Sequence, residues 1–242
     1  MRIAAIIPVG TLEGAKTRLG ESLDAEERED LAEGFLARTV LAALAVEGLE
    51  DVLVVSPDRE VLRRAAELGA RTLRQHSDGL NAGLVEARAD VVSGGAEAIL
   101  VLPIDLPFVT AASVRAVLEP LVTPGSGGGG LGGGSGGGGL GGGSGGGSSG
   151  GSSGGSSGGG SGDPLVVLVT DRHGTGTNAL GLRPPGVIEF AFGVGSRGAH
   201  RAAANVVGAT YLEVEGPLTI DLDTPDDLVF VESLALEGIG AD

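Results

Sequence analysis

The chain has 242 residues, a formal net charge of −16, 47 glycines and no cysteine. The acidic balance argues against nucleic acid and against an anionic membrane surface, since both are held by basic patches. The lack of cysteine excludes disulfides, thiolate zinc sites and thiol catalysis.

No apolar run approaches the ~20 residues of a membrane span. The N-terminal Ile3–Val9 run has no long apolar region and no small-residue cleavage site after it, so it reads as a first strand of a cytoplasmic protein. A loop follows with Gly10, Gly14, Lys16 and Arg18. Glycines and cations just past a first strand suit a phosphate-cradling loop, and they equally suit an ordinary solvated one. Asp24 and Glu27 form a capping box for a long helix, with Leu31, Phe35, Leu36, Val40 and Leu44 at helical spacing. Val52–Val55 is a second strand. Ser56-Pro57 then opens a helix that Gly69 ends. The βαβα pattern predicts a mostly parallel, twisted sheet with helices on both faces.

After a short strand at Arg71–Arg74, the loop Gln75–Ala82 leads into a helix reaching about Val92. Its polar groups, Gly79 and Asn81 among them, suit reading a base edge; alternatively Ser77 or Asp78 merely caps the helix. Ala98–Val101 is an apolar strand, and Pro103 and Pro107 stop its pairing. Asp105 lies between those prolines, at the strand end where open α/β sheets place their ligand crevice. Thr110 caps a helix ending near Leu121. Residues 125–162 are Gly and Ser apart from Leu131 and Leu140. Such a tract cannot bury apolar surface and reads as a flexible insertion in a surface loop of a single domain, because both flanks fit one α/β pattern. About 200 residues remain for the core.

Beyond the tract, Leu165–Thr170 and Ala179–Leu182 read as strands around a second glycine-rich loop, Asp171–Asn178. Phe192–Ser196 opens a helix from Arg197 to about Val206, with Ser196 as its cap. A helix start after glycines is an anion site or a plain capped terminus. Thr210–Val214 and Leu218–Leu222 read as strands. Asp221 and Asp223, two apart in an extended segment, face the same way. With Asp105 they offer hard oxygen ligands for Mg²⁺ on a nucleoside triphosphate. Asp226 and Asp227 read as structural, in a capping box begun by Thr224. His76, His173 and His200 lack metal-ligand spacing; His200, near the helix start behind the anion loop, is the best outsider.

Taken together, Pro8-Val9, Ala15–Leu19, Gly79–Asn81, Leu102–Pro107, Asp171–Leu180, Phe192-Gly193 with Ser196 and His200, and Asp221–Leu228 resemble the 2-phospho-L-lactate/phosphoenolpyruvate guanylyltransferases of coenzyme F-420 biosynthesis. The resemblance implies a nucleotidyltransferase fold of the glycosyltransferase-A type. It implies Mg²⁺-dependent transfer of GMP from GTP to the phosphate of a three-carbon acid. By the same resemblance Asp105, Asp221 and Asp223 hold the metal, and Thr177, Gly193 and Ser196 contact the acceptor. Lys16 and Arg18 face the triphosphate and, with Asp105, are the catalytic candidates; Gly79 and Asn81, from their place in the Gln75–Ala82 loop, are assigned to the nucleotide. GTP and the phospho-acid are then the partners, with no nucleic acid or membrane, and the sequence allows a homodimer. Gly10 departs from the family pattern, which has lysine there, and the Gly/Ser tract is foreign to it. Two other readings stand: a molybdopterin- or sugar-phosphate-type nucleotidyltransferase, and a non-catalytic α/β interaction protein displaying the Gly-rich tract.

Overall fold

The structure, a computed structural model, describes residues 1–11, 19–20, 22–123 and 163–236. Lys16, Arg18 and the 125–162 tract lie outside the described residues. One sheet contains β1 (Ile3–Pro8), β2 (Leu49–Ser56), β3 (Arg71–Arg74), β4 (Ala98–Val101), β5 (Leu165–Val169), β6 (Ala179–Arg183) and β7 (Thr210–Glu213). Their order across the sheet is β3-β2-β1-β4-β6-β5-β7. All pairings are parallel except those of β6, which runs against both β4 and β5. Because β4 precedes the Gly/Ser tract and β6 follows it, the two halves of the chain share this sheet.

The central strands are apolar throughout because both faces are covered. On β1, Ile3, Ala5 and Ile7 face one core while Ala4 and Ile6 face the other. The first core takes α1 (Ala25–Leu44), α2 (Arg59–Glu67) and α4 (Ala111–Val122) through residues such as Leu36, Val61 and Val117. The second takes α3 (Leu80–Ser93) and α5 (Ser196–Val207) through Leu84, Val91 and Ala204. A last helix, α6 (Pro225–Leu236), follows the acidic segment. Among the described residues no helix is long and apolar enough to cross a membrane.

The capping box at Asp24/Glu27 forms as its spacing predicts, and Thr110 caps α4 as expected, with Ser113 completing a box that the sequence reading did not name. Four local expectations are corrected. Ser56 ends β2, and Asp58 caps α2 by accepting the Glu60 N–H. Neither Ser77 nor Asp78 caps α3; Gly79 is the cap residue, at φ 86°, and the Glu86 carboxylate instead takes the His76 and Ser77 N–H groups. Ser196 is the first helical residue of α5, and the cap position falls on Gly195 in the left-handed region. Leu218–Leu222 is no strand. Pro217–Thr219 forms a 3₁₀ turn, and its Leu218 packs into the first core.

Arg183, at the end of β6, is buried. Its guanidinium donates to the Leu121 carbonyl at 2.5 Å and to the Asp163 carbonyl at 3.3 Å. One side chain thus fastens the end of α4 to the start of the segment leading into β5.

Candidate functional site

The parallel strands deliver their carboxyl ends to one edge of the sheet, where an α/β fold leaves a crevice. The reversed β6 adds its own N-terminal end, with Thr177 and Asn178, to the same edge. There a cleft of about 660 Å³ is lined by Asp105, Thr177, Gly193, Ser196, Asp221 and Asp223. Six residues singled out in sequence, from four separate segments, therefore share one cavity. Pro103, Asp171, Asn178, Phe192 and Val194 also line it.

The main chain explains how the acids meet. Leu102 donates to Ile6 at 3.0 Å, carrying the β4 pairing one residue further before Pro103 stops it. Leu106 is buried below, and Arg38 of α1 donates to the Pro107 carbonyl. The Asp105 carbonyl accepts the Leu222 N–H at 2.9 Å. That bond sets the residue between Asp221 and Asp223 directly against Asp105, doing what a β-ladder was expected to do. Asn178 Nδ2 donates to the Leu218 carbonyl at 3.0 Å and holds the start of the same segment. Asp227 holds its end: Oδ2 accepts the Asp223 and Thr224 N–H groups, and Oδ1 accepts from Arg172.

Charge accumulates here. Four aspartates line the cleft, and among the described residues lining it none is Lys or Arg. Burial, then the carboxylates of Asp105 and Asp223, push the Asp221 acid up to about 6. Asp171 behaves differently. Burial alone would raise its acid, but the Thr175 and Gly176 N–H groups and the Thr175 hydroxyl outweigh that and hold it below the usual range. Asp171 is thus the internal tie of the Asp171–Asn178 loop, and a Cβ at Gly176 would stand 2.8 Å from its Oδ2 and displace that carboxylate.

The opposite wall is the Phe192–Ser196 turn. Gly193 and Gly195 both have positive φ, at 128° and 73°. The N–H groups of Ser196 and Arg197 at the start of α5 are already engaged by the Gly193 and Thr175 carbonyls. The anion site expected from free N–H groups is therefore partly filled by the protein itself. Arg197 also pairs with Glu213 and donates to the Gly174 carbonyl, locking α5 to the glycine-rich loop. Gly10 is exposed, and its carbonyl accepts from Ser56 Oγ at 3.3 Å. Gly79 opens α3, and Asn81, next to the cleft residue Leu80, has its amide engaged with the Phe192 backbone.

Sequence reasoning left Phe192 and Asp171 without individual roles and ranked His200 only as an outsider. His200 is 0 % exposed and touches Thr177. The signal for it was its place four residues after Ser196, which puts both on one face of a helix.

The family model described as "Guanylyl transferase CofC like" matches residues 3–131, from β1 through α4 and so including Asp105. The chain is 40 % identical over 234 residues to the phosphoenolpyruvate guanylyltransferase of Rubrobacter xylanophilus, covering 96 % of this chain and 95 % of that relative.

The chain belongs to the CofC-like guanylyl transferase family.

The phosphoenolpyruvate guanylyltransferase of Sphaerobacter thermophilus is 34 % identical and covers all of this chain and 98 % of its own length. These two matches extend past residue 131 and take in the Asp171–Asp223 half of the cleft. Among solved structures, 4-diphosphocytidyl-2C-methyl-D-erythritol synthase from Anaerococcus prevotii superposes with a TM-score of 0.56 at 10 % identity, covering 97 % of this chain and 96 % of that one. At that identity the likeness speaks for the fold alone. The CofC-like chain thus has the nucleotidyltransferase fold, as its βαβα order and family resemblance predict.

Proposed function

We propose that this CofC-like guanylyl transferase moves GMP from GTP to the phosphate of phosphoenolpyruvate, releasing pyrophosphate, with 2-phospho-L-lactate as the alternative acceptor. The single observation that carries this reading is the cleft that sets Asp105, Asp221 and Asp223 against Thr177, Gly193 and Ser196. Acids for a metal-bound triphosphate and hydroxyls with close-approach backbone for a small anion meet in one cavity. The names of the full-length relatives support phosphoenolpyruvate as the acceptor.

In this reading an oxygen of the acceptor phosphate attacks the α-phosphorus of GTP. A new P–O bond forms as the bond to pyrophosphate breaks. The nucleophile is already ionised near neutral pH, so the step needs positioning and charge neutralisation more than a base. The described residues agree: His200 has both ring nitrogens engaged inside the protein. Thr177 and Ser196 bind and orient the acceptor, and Gly193 lets it come close to the backbone. Lys16 and Arg18 are assigned to the triphosphate.

The carboxylate set fits Mg²⁺ in one specific sense. Among the described residues no three acidic or imidazole groups stand as a ready-made metal site. Yet the three aspartates crowd enough charge to raise Asp221, which a cation would relieve. Mg²⁺ commonly takes one or two carboxylates and completes its shell with phosphate oxygens and water. Asp105, Asp221 and Asp223 would hold it together with the nucleotide; when bound, it screens the charge on the reacting phosphates. A cytoplasmic setting goes with soluble substrates of this kind.

The test is product mass spectrometry after incubation with GTP, Mg²⁺ and a panel of phosphorylated three-carbon acids. The expected product is the acid joined to GMP through a diphosphate, absent when EDTA is present. Failure of every acid on the panel to take up GMP would overturn the reading.

A further inference from the structure

His200 is completely buried, and each of its ring nitrogens has one partner. The Ala191 N–H donates to Nε2 at 3.0 Å. Nδ1 lies 3.1 Å from the Thr177 hydroxyl oxygen. A main-chain N–H can only donate, so Nε2 presents its lone pair. A neutral imidazole carries one proton, and that proton then sits on Nδ1. Burial pushes the His200 imidazolium down to about 4, so the ring is neutral at ordinary pH. The Thr177 oxygen accordingly accepts from Nδ1. Its own proton must point elsewhere, and His200 is its only hydrogen-bond partner among the described residues. Thr177 lines the cleft.

We propose that His200 is a positioning residue: held as the Nδ1–H tautomer, it turns the Thr177 hydroxyl into an obligate donor into the cleft, selecting an anionic oxygen of the acceptor. The surroundings keep the ring in place. Phe192 meets it edge-on, with centroids 5.2 Å apart and planes at 71°. Asn81 in turn grips the Phe192 backbone from α3. Ala191, whose N–H fixes the tautomer, is the neighbour of Phe192. The chain of contacts therefore runs from α3 through the cleft wall to one hydroxyl proton. A hydroxyl free to rotate could accept from a neutral acceptor as readily as donate to an anion; one already accepting from Nδ1 favours the anion.

The inference rests on the reading of this cleft as the acceptor site, and two measurements separate the two. The first uses the wild-type protein without substrate. Long-range ¹⁵N–¹H correlation spectra report which ring nitrogen carries the proton, with the His200 signals assigned by their loss in His200→Asn. Protonation at Nδ1 is expected, and protonation at Nε2 overturns the proposal. This result holds whether or not the protein transfers GMP, so absence of transfer would sink the functional reading and leave the tautomer standing.

The second measurement is a set of acceptor KM values at saturating GTP. Thr177→Val should raise the acceptor KM about tenfold, the loss of one hydrogen bond to a charged group, with the GTP KM unchanged. His200→Gln reaches the Nε2 position and retains an acceptor for Ala191, but it offers no donor at Nδ1; it should raise the acceptor KM similarly. His200→Asn places an amide N–H at the Nδ1 position and should retain most of the affinity. The double variant Thr177→Val/His200→Gln should be no worse than Thr177→Val alone, because His200 acts through a hydroxyl that is no longer there. Multiplying effects in the double variant would show that His200 acts by packing alone and would overturn the proposal.

Discussion

Asn81 and Phe192 stand 111 residues apart in sequence and hold each other by two hydrogen bonds. Asn81 Oδ1 accepts the Phe192 N–H at 2.9 Å, and Asn81 Nδ2 donates to the Phe192 carbonyl at 3.0 Å. The side-chain amide thus stands in for a neighbouring strand beside a segment that has none among the described residues. Asn81→Ala should lower stability by about 1–2 kcal/mol, since two part-buried main-chain groups lose their partner. It should also raise the acceptor KM, because the wall carrying Gly193 is released. Urea unfolding and initial-rate kinetics measure the two effects, and an unchanged urea midpoint would contradict the first.

Asp105→Asn and Asp223→Asn should each abolish turnover while leaving the far-ultraviolet circular dichroism of the wild type. Amide oxygens keep the shape of the cleft and remove the charge that a metal-bound nucleotide requires. Full activity in either variant would end the assignment of these carboxylates.

Asp227 is the residue on which the position of Asp223 depends. Its carboxylate accepts two main-chain N–H groups, the Thr224 hydroxyl and the Arg172 guanidinium. Asp227→Ala should cost about 2–4 kcal/mol, combining a lost cap with a broken buried ion pair. Its kcat should fall as well, although Asp227 does not line the cleft. Asp227→Asn, which retains one acceptor oxygen, should fall between. Chemical denaturation ranks the three proteins.

The His200 shift makes a statement about acid stability. The folded imidazole titrates near 4, well below its ordinary value of 6.5. Between those values the unfolded chain binds a proton that the folded one refuses. The stabilisation is therefore complete above pH 6.5 and is lost as pH falls toward 4, amounting to roughly 3 kcal/mol at most. Asp221, whose acid is raised to about 6, works in the opposite sense over much of the same window. The quantity to measure is accordingly the difference in unfolding free energy between wild type and His200→Asn from pH 7 to pH 4. The difference should shrink as pH falls; a constant difference would show that burial of this imidazole carries no proton linkage.

The sheet was legible because apolar runs at Ile3, Val52, Ala98 and Leu165 had to be strands buried on both faces. The capping box at Asp24 and the cap at Thr110 were legible for a local reason, since donor and acceptor lie three residues apart. The segment before Asp221 was misread because an extended run with an apolar Leu218 has the pattern of a strand whether or not a neighbour pairs with it. Here the Asp105 carbonyl accepts the Leu222 N–H, and among the described residues no β-ladder contains this segment. Ser196 was misread as a cap because a serine after glycine fits that role, whereas the positive φ of Gly195 already turns the chain. The contacts of Asn81 and His200 depend on packing between distant segments, which no local pattern encodes. Asp105 and the hydroxyl loops stood out in the sequence because each follows a strand or leads into a strand or helix, and Asp221 and Asp223 because they are two apart in an extended segment before a helix.

The grip of Arg183 on the Leu121 and Asp163 carbonyls has a consequence for protein engineering. The fold registers where the chain leaves and where it returns, and both points are fixed by one guanidinium. Shortening the segment between those two anchor points is therefore expected to leave the fold and its urea midpoint unchanged. A fluorescent reporter grafted between Thr123 and Asp163 is expected to leave the cleft, at the far edge of the sheet, undisturbed.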